Sequence, residues 1–302
     1  MVLGNGGLNR IGLNTIPFII GFVIICIIFL AASSIALALG SLLLNQEVEA
    51  IARQGDIADP RNTIILLSGF LGVWAAIYIV VRFILNRPLW VFSSTEDSPN
   101  LSQFITSALI FGGALLCFLG ISLGTGGAVA ATKSSDWWLW LVPLLIIIFI
   151  QVTAEEYVFR GYLQCTLYDW FGLRFFWMIL PSILFAVLHY APGTYGPNAW
   201  LAVLAIFVFG LLCAELTYKT GSIAWASGLH FVNNVMILVI AGPKEGLGAP
   251  YFYSTISPAD PSAFRNAVLL QIALYVIALA LVFYKMPRHD SLYGIELSES
   301  ST

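Results

Sequence analysis

Long apolar runs separated by short polar stretches dominate the chain. A membrane-spanning helix needs about 20 apolar residues, and on that basis the pattern predicts eight apolar segments. They cover residues 15–44, 63–85, 103–124, 137–169, 174–190, 199–218, 221–240 and 265–285. Polar or Pro- and Gly-rich stretches at 45–62, 86–102 and 241–264 predict loops. No internal repeat divides the chain, so the pattern predicts one all-α membrane domain over residues 1–302, a polytopic bundle of about eight transmembrane helices.

Composition agrees with this class. The chain is 59% hydrophobic and 10% charged, with a mean hydropathy of +0.90, whereas soluble domains contain about 25% charged residues. The expected surroundings are a lipid bilayer, and we expect an integral, multi-pass protein of the cell membrane of a prokaryote. A net charge of −3 argues against a nucleic-acid partner. The four cysteines have no Cys-x-x-Cys spacing and are expected to be small buried apolar residues.

Two carboxylates and a guanidinium, those of Glu155, Glu156 and Arg160, interrupt the middle of the apolar segment 137–169. A helix that begins at Trp137 has not yet crossed a bilayer at Glu155, and each buried charge costs about 2.5–3.5 kcal/mol at a helix centre. Glu156 and Arg160 are four residues apart, so they share a helix face and can form a supporting pair. The alternative for these two is a purely structural ion cluster. Glu155 has no local cation, and this favours a functional role for it.

Two of the three histidines also lie in apolar segments. Glu155 and His189 are each 17 residues from the turn at Gly172, which predicts equal depth in an antiparallel helical hairpin. His230 and Asn234 are four residues apart and therefore project from one helix face. We predict that Glu155, His189, His230 and Asn234 line one pocket and are the catalytic residues.

This set of side chains suits hydrolysis. A carboxylate in an apolar setting can act as a general base. Neutral imidazoles can bind a metal that keeps a position open for water. Alternatively, imidazole and amide N–H groups can stabilise an oxyanion without a metal. The residues alone leave both possibilities open.

The spacing of these residues resembles a known family. Glu155-Glu156-x-x-x-Arg160, Phe185-x-x-x-His189 and His230-x-x-x-Asn234 are similar to the three motifs of the CAAX protease and bacteriocin-processing family, also called CPBP or Abi proteins. That family includes the type II CAAX prenyl endopeptidases. Residues 220–223, Thr-Gly-Ser-Ile, add to the likeness, which covers about residues 140–240.

The resemblance implies an eight-helix intramembrane endopeptidase that cleaves a membrane-associated protein or peptide. In this family the position of Glu155 activates water with help from His189. His230 and Asn234 hold the oxyanion or help to bind a divalent metal such as zinc, for which His189 and His230 are the candidate ligands. Phe185, Glu156 and Arg160 are expected to support the site.

Other intramembrane proteases fit less well. The chain contains no His-Glu-x-x-His, the signature of zinc helices. Ser227 lies in a Trp-Ala-Ser-Gly stretch faintly similar to a rhomboid site, but His289, the only later histidine after His230, lies in the polar tail. Asp169 follows a tyrosine as in aspartyl sites, without the second membrane aspartate that those sites need.

Two non-enzymatic functions remain as alternatives. Buried Glu and His pairs also occur in proton- or ion-coupled transporters, and a degenerate relative could be a membrane scaffold or immunity protein. A transporter predicts internal repeats, and a scaffold predicts lost motif residues. Neither feature is present in the sequence, which favours the endopeptidase.

Overall fold

The computed structural model describes residues 13–48, 51, 59–94, 100–130, 136–242, 250–256 and 260–286. Its helices are α1 (Thr15–Leu44), α2 (Pro60–Ile79), α3 (Leu101–Gly124), α4 (Leu141–Glu156), α5 (Cys165–Phe171), α6 (Leu180–Val187), α7 (Pro192–Tyr195), α8 (Ala199–Thr220), α9 (Ala224–Val235) and α10 (Pro261–Lys285). Wider π-helical turns extend α2, α6 and α9, at Val80–Ile84, Phe175–Ile179 and Met236–Ile240. Single 3-10 turns occur at Leu89–Phe92, Trp137–Trp140 and Gly196–Asn198.

The predicted all-α membrane fold is confirmed, although two of the predicted segments form shorter helices. Six helical stretches within the described residues are long and apolar enough to cross a membrane. They are Thr15–Leu44, Pro60–Ile84, Leu101–Gly124, Trp137–Phe171, Pro192–Thr220 and Pro261–Lys285. The predicted segments 174–190 and 221–240 form the shorter apolar helices Phe175–Val187 and Ala224–Ile240. The second is shortened because Gly221, with φ of +80°, ends α8 in a left-handed turn.

Helix α8 lies at the centre of the bundle. It contacts α6, α9 and α10, and its residues are mostly buried. Helices α3 and α10 instead carry exposed large apolar side chains, such as Leu109 and Leu281. An apolar outer surface of this kind matches a lipid environment, in which polar groups turn toward the bundle interior.

A wide helical turn follows α4 directly. Residues Tyr157–Gln164 are π-helical and join α4 to α5, so that Trp137–Phe171 is one continuous stretch. Gly161 in this turn packs against the backbone of Phe92, where a Cβ atom would collide with the carbonyl oxygen. The hydroxyl of Tyr157 donates to the carbonyl oxygen of Leu89 at 2.7 Å. The wide turn is therefore held against the segment Leu89–Phe92.

A small sheet interrupts the otherwise helical chain. Strand β3 (Phe252–Ser254) pairs antiparallel with β1 (Ala128–Ala130) and parallel with β2 (Ala241–Gly242). The stretch 241–264, predicted as one long loop, thus contains two strands and the start of α10, while 243–249 and 257–259 lie outside the described residues.

The cysteines differ from expectation. All four are free thiols, and Cys213 is buried, but Cys26 and Cys117 are exposed. The prediction that all four are buried is wrong because the outward faces of α1 and α3 are apolar and exposed, so an apolar segment does not by itself imply burial.

Candidate active site

His230 lies between two adjacent glutamates. Its Nδ1 is 2.7 Å from Oε1 of Glu156, and its Nε2 is 3.6 Å from Oε2 of Glu155. An ionised carboxylate only accepts hydrogen bonds, so Nδ1 carries a hydrogen and donates it to Glu156. The second distance exceeds a hydrogen bond, and the Nε2 side of the ring faces Glu155.

The predicted pair of Glu156 and Arg160 is present and buried. Arg160 Nη1 donates to Oε1 of Glu156 at 3.0 Å, and Nη2 donates to the carbonyl oxygen of Gly210 at 3.3 Å. Their side chains are 0% and 2% exposed. The Arg160 guanidinium also lies 4.6 Å from the ring centre of Phe185. Burial of two charges is costly unless hydrogen bonds satisfy them, and these contacts supply several.

Helices α4 and α9 face each other through polar residues at matching intervals. Asn234 Nδ2 donates to Oε1 of Gln151 at 2.9 Å. Gln151 precedes Glu155 by one helical turn, just as His230 precedes Asn234. The two antiparallel helices thus meet at two levels, and His230 and Asn234 both face α4. Sequence reasoning missed Gln151, although a polar residue four positions before Glu155 in an apolar run was a usable signal.

His189 lies just beyond the end of α6 and is half-buried. Its Nδ1 donates to the carbonyl oxygen of Phe185 at 2.8 Å, because a carbonyl oxygen only accepts. The ring of Phe185 is 4.7 Å from that of His189 and 5.8 Å from that of His230. Phe185 therefore connects the two histidines, while the hydrogen bond of His189 stays within its own segment and does not reach Glu155.

Two carboxylate oxygens at the site are buried without a hydrogen-bond partner. They are Oε2 of Glu155 and Oε2 of Glu156. The Glu155 side chain is 12% exposed, whereas that of Glu156 is fully buried. Buried polar atoms are nearly always satisfied in native proteins. An unsatisfied oxygen on the partly accessible Glu155 is the atom best placed to receive a ligand or water.

The described side chains of the site offer few ligands for a metal ion. Among the described residues, no group of three or more His, Cys, Asp or Glu side chains could hold one. Nδ1 of His230 is engaged by Glu156 and Nδ1 of His189 by a carbonyl oxygen, which leaves Nε2 of each ring as the nitrogen that could bind a metal. Catalytic zinc usually has three protein ligands. The divalent metal at His189 and His230 stays a prediction.

The central part of the chain matches a family. Residues 136–236 match the family model described as type II CAAX prenyl endopeptidase Rce1-like. This matched stretch is called the Rce1-like domain for its similarity to that model. The match confirms the resemblance predicted from the sequence, and the Rce1-like domain spans α4 to α9, which carry all the residues described above. Helices α1, α2, α3 and α10 lie outside it.

One relative extends beyond the Rce1-like domain. The uncharacterized protein YyaK of Bacillus subtilis (strain 168) is 29% identical over 226 residues, which cover 73% of this chain and 71% of YyaK. No solved structure matches the chain. At the level of the family, the Rce1-like domain supports a CAAX-type intramembrane protease. Together with the apolar helices, it indicates an integral membrane protein whose substrate is a membrane-associated peptide.

Proposed function

We propose that this protein is an intramembrane endopeptidase that hydrolyses a peptide bond with a water molecule activated by Glu155. One observation carries the proposal: Oε2 of Glu155 is buried, lacks a hydrogen-bond partner and lies 3.6 Å from Nε2 of His230. The proposed mechanism places the reacting water molecule against these two atoms. The surrounding helices exclude bulk water, which strengthens electrostatic interactions inside the site.

Glu155 acts as the general base. Its carboxylate accepts a proton from water while the water oxygen attacks the carbonyl carbon of the substrate, and the same proton then passes to the departing amide nitrogen. A positioned base contributes about 10²–10⁴-fold to the rate. His189 assists with Nε2, because its Nδ1 is already fixed by the carbonyl oxygen of Phe185.

His230 and Asn234 stabilise the oxyanion. Nδ1 of His230 is bound to Glu156, so the ring donates from Nε2 when it carries a second hydrogen, as an imidazolium. Asn234 uses one hydrogen of its Nδ2 group for Gln151, and the other is available to the substrate. A single donor of this kind is typically worth about 10²–10³-fold in kcat.

The substrate that fits this site is a membrane-associated protein or peptide. A substrate must reach carboxylates that lie within the helical stretch Trp137–Phe171. A membrane-anchored chain brings its cleavage site close to this depth. We propose the cell membrane of a prokaryote as the location, since the relative YyaK is bacterial.

The test compares membrane fractions of cells that express the wild-type protein or Glu155→Gln. Quantitative proteomics of peptide ends should reveal a cleavage product that is present with the wild type and lost with the variant. Glu47→Gln, an exposed glutamate beyond the end of α1, is the matched control and should cleave as the wild type does. Identical peptide ends for wild type and Glu155→Gln would contradict the proposal, and proton transport in liposomes would then support the transporter.

A further inference from the structure

A chain of hydrogen bonds leads from the site to α10. Oδ1 of Asn234 accepts from Nδ2 of Asn233 at 3.3 Å. Oδ1 of Asn233 accepts from the hydroxyl of Tyr275 at 3.0 Å. The Tyr275 oxygen in turn accepts from Nε2 of Gln271 at 2.9 Å. Tyr275 is thus linked to Asn234, a residue assigned to the oxyanion, through Asn233 alone, and Gln271 is linked to it through Tyr275 and Asn233.

A second path from α10 reaches the same site through ring contacts. The ring centre of Tyr275 lies 5.4 Å from that of Phe209, and Phe209 lies 5.3 Å from the ring of His230. Tyr275 is therefore linked to Asn234 through its hydroxyl and Asn233, and to His230 through its ring and Phe209. Both oxyanion residues have a contact path to one α10 side chain.

Helix association alone accounts poorly for this arrangement. Interhelical hydrogen bonds in membranes contribute little on average, and α10 otherwise carries exposed residues such as Leu270 and Leu274. The bonds end on an amide that is held at both atoms, Oδ1 by Asn233 and Nδ2 by Gln151. An amide fixed at both ends has its remaining N–H in one direction, which is what a preorganised oxyanion donor requires.

We propose that Tyr275 and Gln271 are positioning residues that fix the amide of Asn234 for catalysis. The inference rests on the proposed function and extends it, since α10 lies outside the Rce1-like domain at 136–236. Neither residue is assigned a contact with the substrate. They affect the rate at which bound substrate is cleaved, measured as kcat, and leave substrate binding, measured as KM, unchanged.

The test is a steady-state comparison of Tyr275→Phe with the wild type on a cleaved peptide. The variant removes one hydroxyl and keeps the ring contact with Phe209. We expect kcat to fall about threefold to tenfold, the effect of one lost hydrogen bond, with KM within about twofold. Tyr284→Phe, on the same helix and 79% exposed, is the matched control and should leave kcat and KM unchanged.

A second variant separates positioning from folding. Gln271→Leu removes the donor to the Tyr275 oxygen, and the double variant Tyr275→Phe/Gln271→Leu should lose no more kcat than Tyr275→Phe alone, because both act through one path. A lower melting temperature with wild-type kcat for both single variants would overturn the inference. Whatever the α10 variants show, cleavage by the wild type and not by Glu155→Gln supports the proposed function. A wild type without peptidase activity contradicts the proposed function itself.

Discussion

Nδ1 of His230 is 2.7 Å from Glu156, while its other nitrogen is 3.6 Å from Glu155. The two adjacent glutamates therefore have different surroundings. Glu156 is bound by His230 and Arg160 and is fully buried, and Glu155 keeps an unpartnered oxygen and 12% exposure. This difference supports Glu155 as the proposed base and Glu156 as the residue that holds the imidazole.

Glu155→Gln should lower cleavage by about 10²–10⁴-fold or more while the melting temperature stays near that of the wild type, because an amide keeps the shape and cannot accept the proton. His189→Ala and His230→Ala should each be nearly as damaging. Combining either with Glu155→Gln should add little, since residues that act as one unit are non-additive. A reporter-peptide assay on purified protein measures this, and wild-type cleavage by Glu155→Gln would refute the assignment.

Arg160→Ala should reduce both stability and activity. The change leaves Glu156 buried without its guanidinium, and breaking a buried pair costs about 3–5 kcal/mol. Arg61→Ala is the control, because Arg61 forms an ion pair with Asp59 but is 48% exposed, and such pairs are worth about 1 kcal/mol or less. Thermal unfolding in detergent compares the two. Full stability with lost activity for Arg160→Ala would instead indicate a substrate-binding role.

Gly161→Ala should destabilise the protein and reduce cleavage. The new Cβ would collide with the carbonyl oxygen of Phe92, and overpacking of this kind typically costs about 1–3 kcal/mol. Gly113→Ala in α3 is the matched control, since a Cβ there meets nothing within 4 Å. The measurement is the melting temperature of each variant. Equal values would show that the π-helical turn accommodates the added methyl group without loss of stability.

Treatment with a metal chelator should leave activity unchanged. The described residues present no group of three metal-binding side chains, and a base at Glu155 can activate water directly. The measurement is peptide cleavage before and after dialysis against a chelator, with zinc added back. Loss of activity on chelation that added zinc restores, together with zinc bound by the wild type and not by His189→Ala or His230→Ala, would instead support the predicted metal site.

Local spacing predicted the parts of the site that lie on one helix. Glu156 and Arg160 were expected to pair because they are four residues apart, and His230 and Asn234 were expected to share a face for the same reason. The sequence could not indicate which glutamate His230 bonds. Neighbouring helix residues differ by about 100° in direction, and the outcome depends on how α4 is rotated against α9.

The sequence pattern could not predict contacts between residues that are far apart in the chain. Nη1 of Arg174 donates to Glu215 at 2.9 Å, and Glu215 is fully buried. In the sequence, Arg174 follows a predicted turn and Glu215 lies in an apolar segment 41 residues later, so no local spacing connects them. The strands were missed as well, because two or three residues are too few to show an alternating pattern.

The pair of Glu156 and Arg160 bears on how the chain enters the bilayer during synthesis. Both charges lie in the single stretch Trp137–Phe171, so they can neutralise each other before the ribosome has made Gly210 and His230, their later partners. Each charge alone would oppose insertion by about 2.5–3.5 kcal/mol at a helix centre. An ion pair that is complete within one helix lowers this cost without waiting for any later part of the chain.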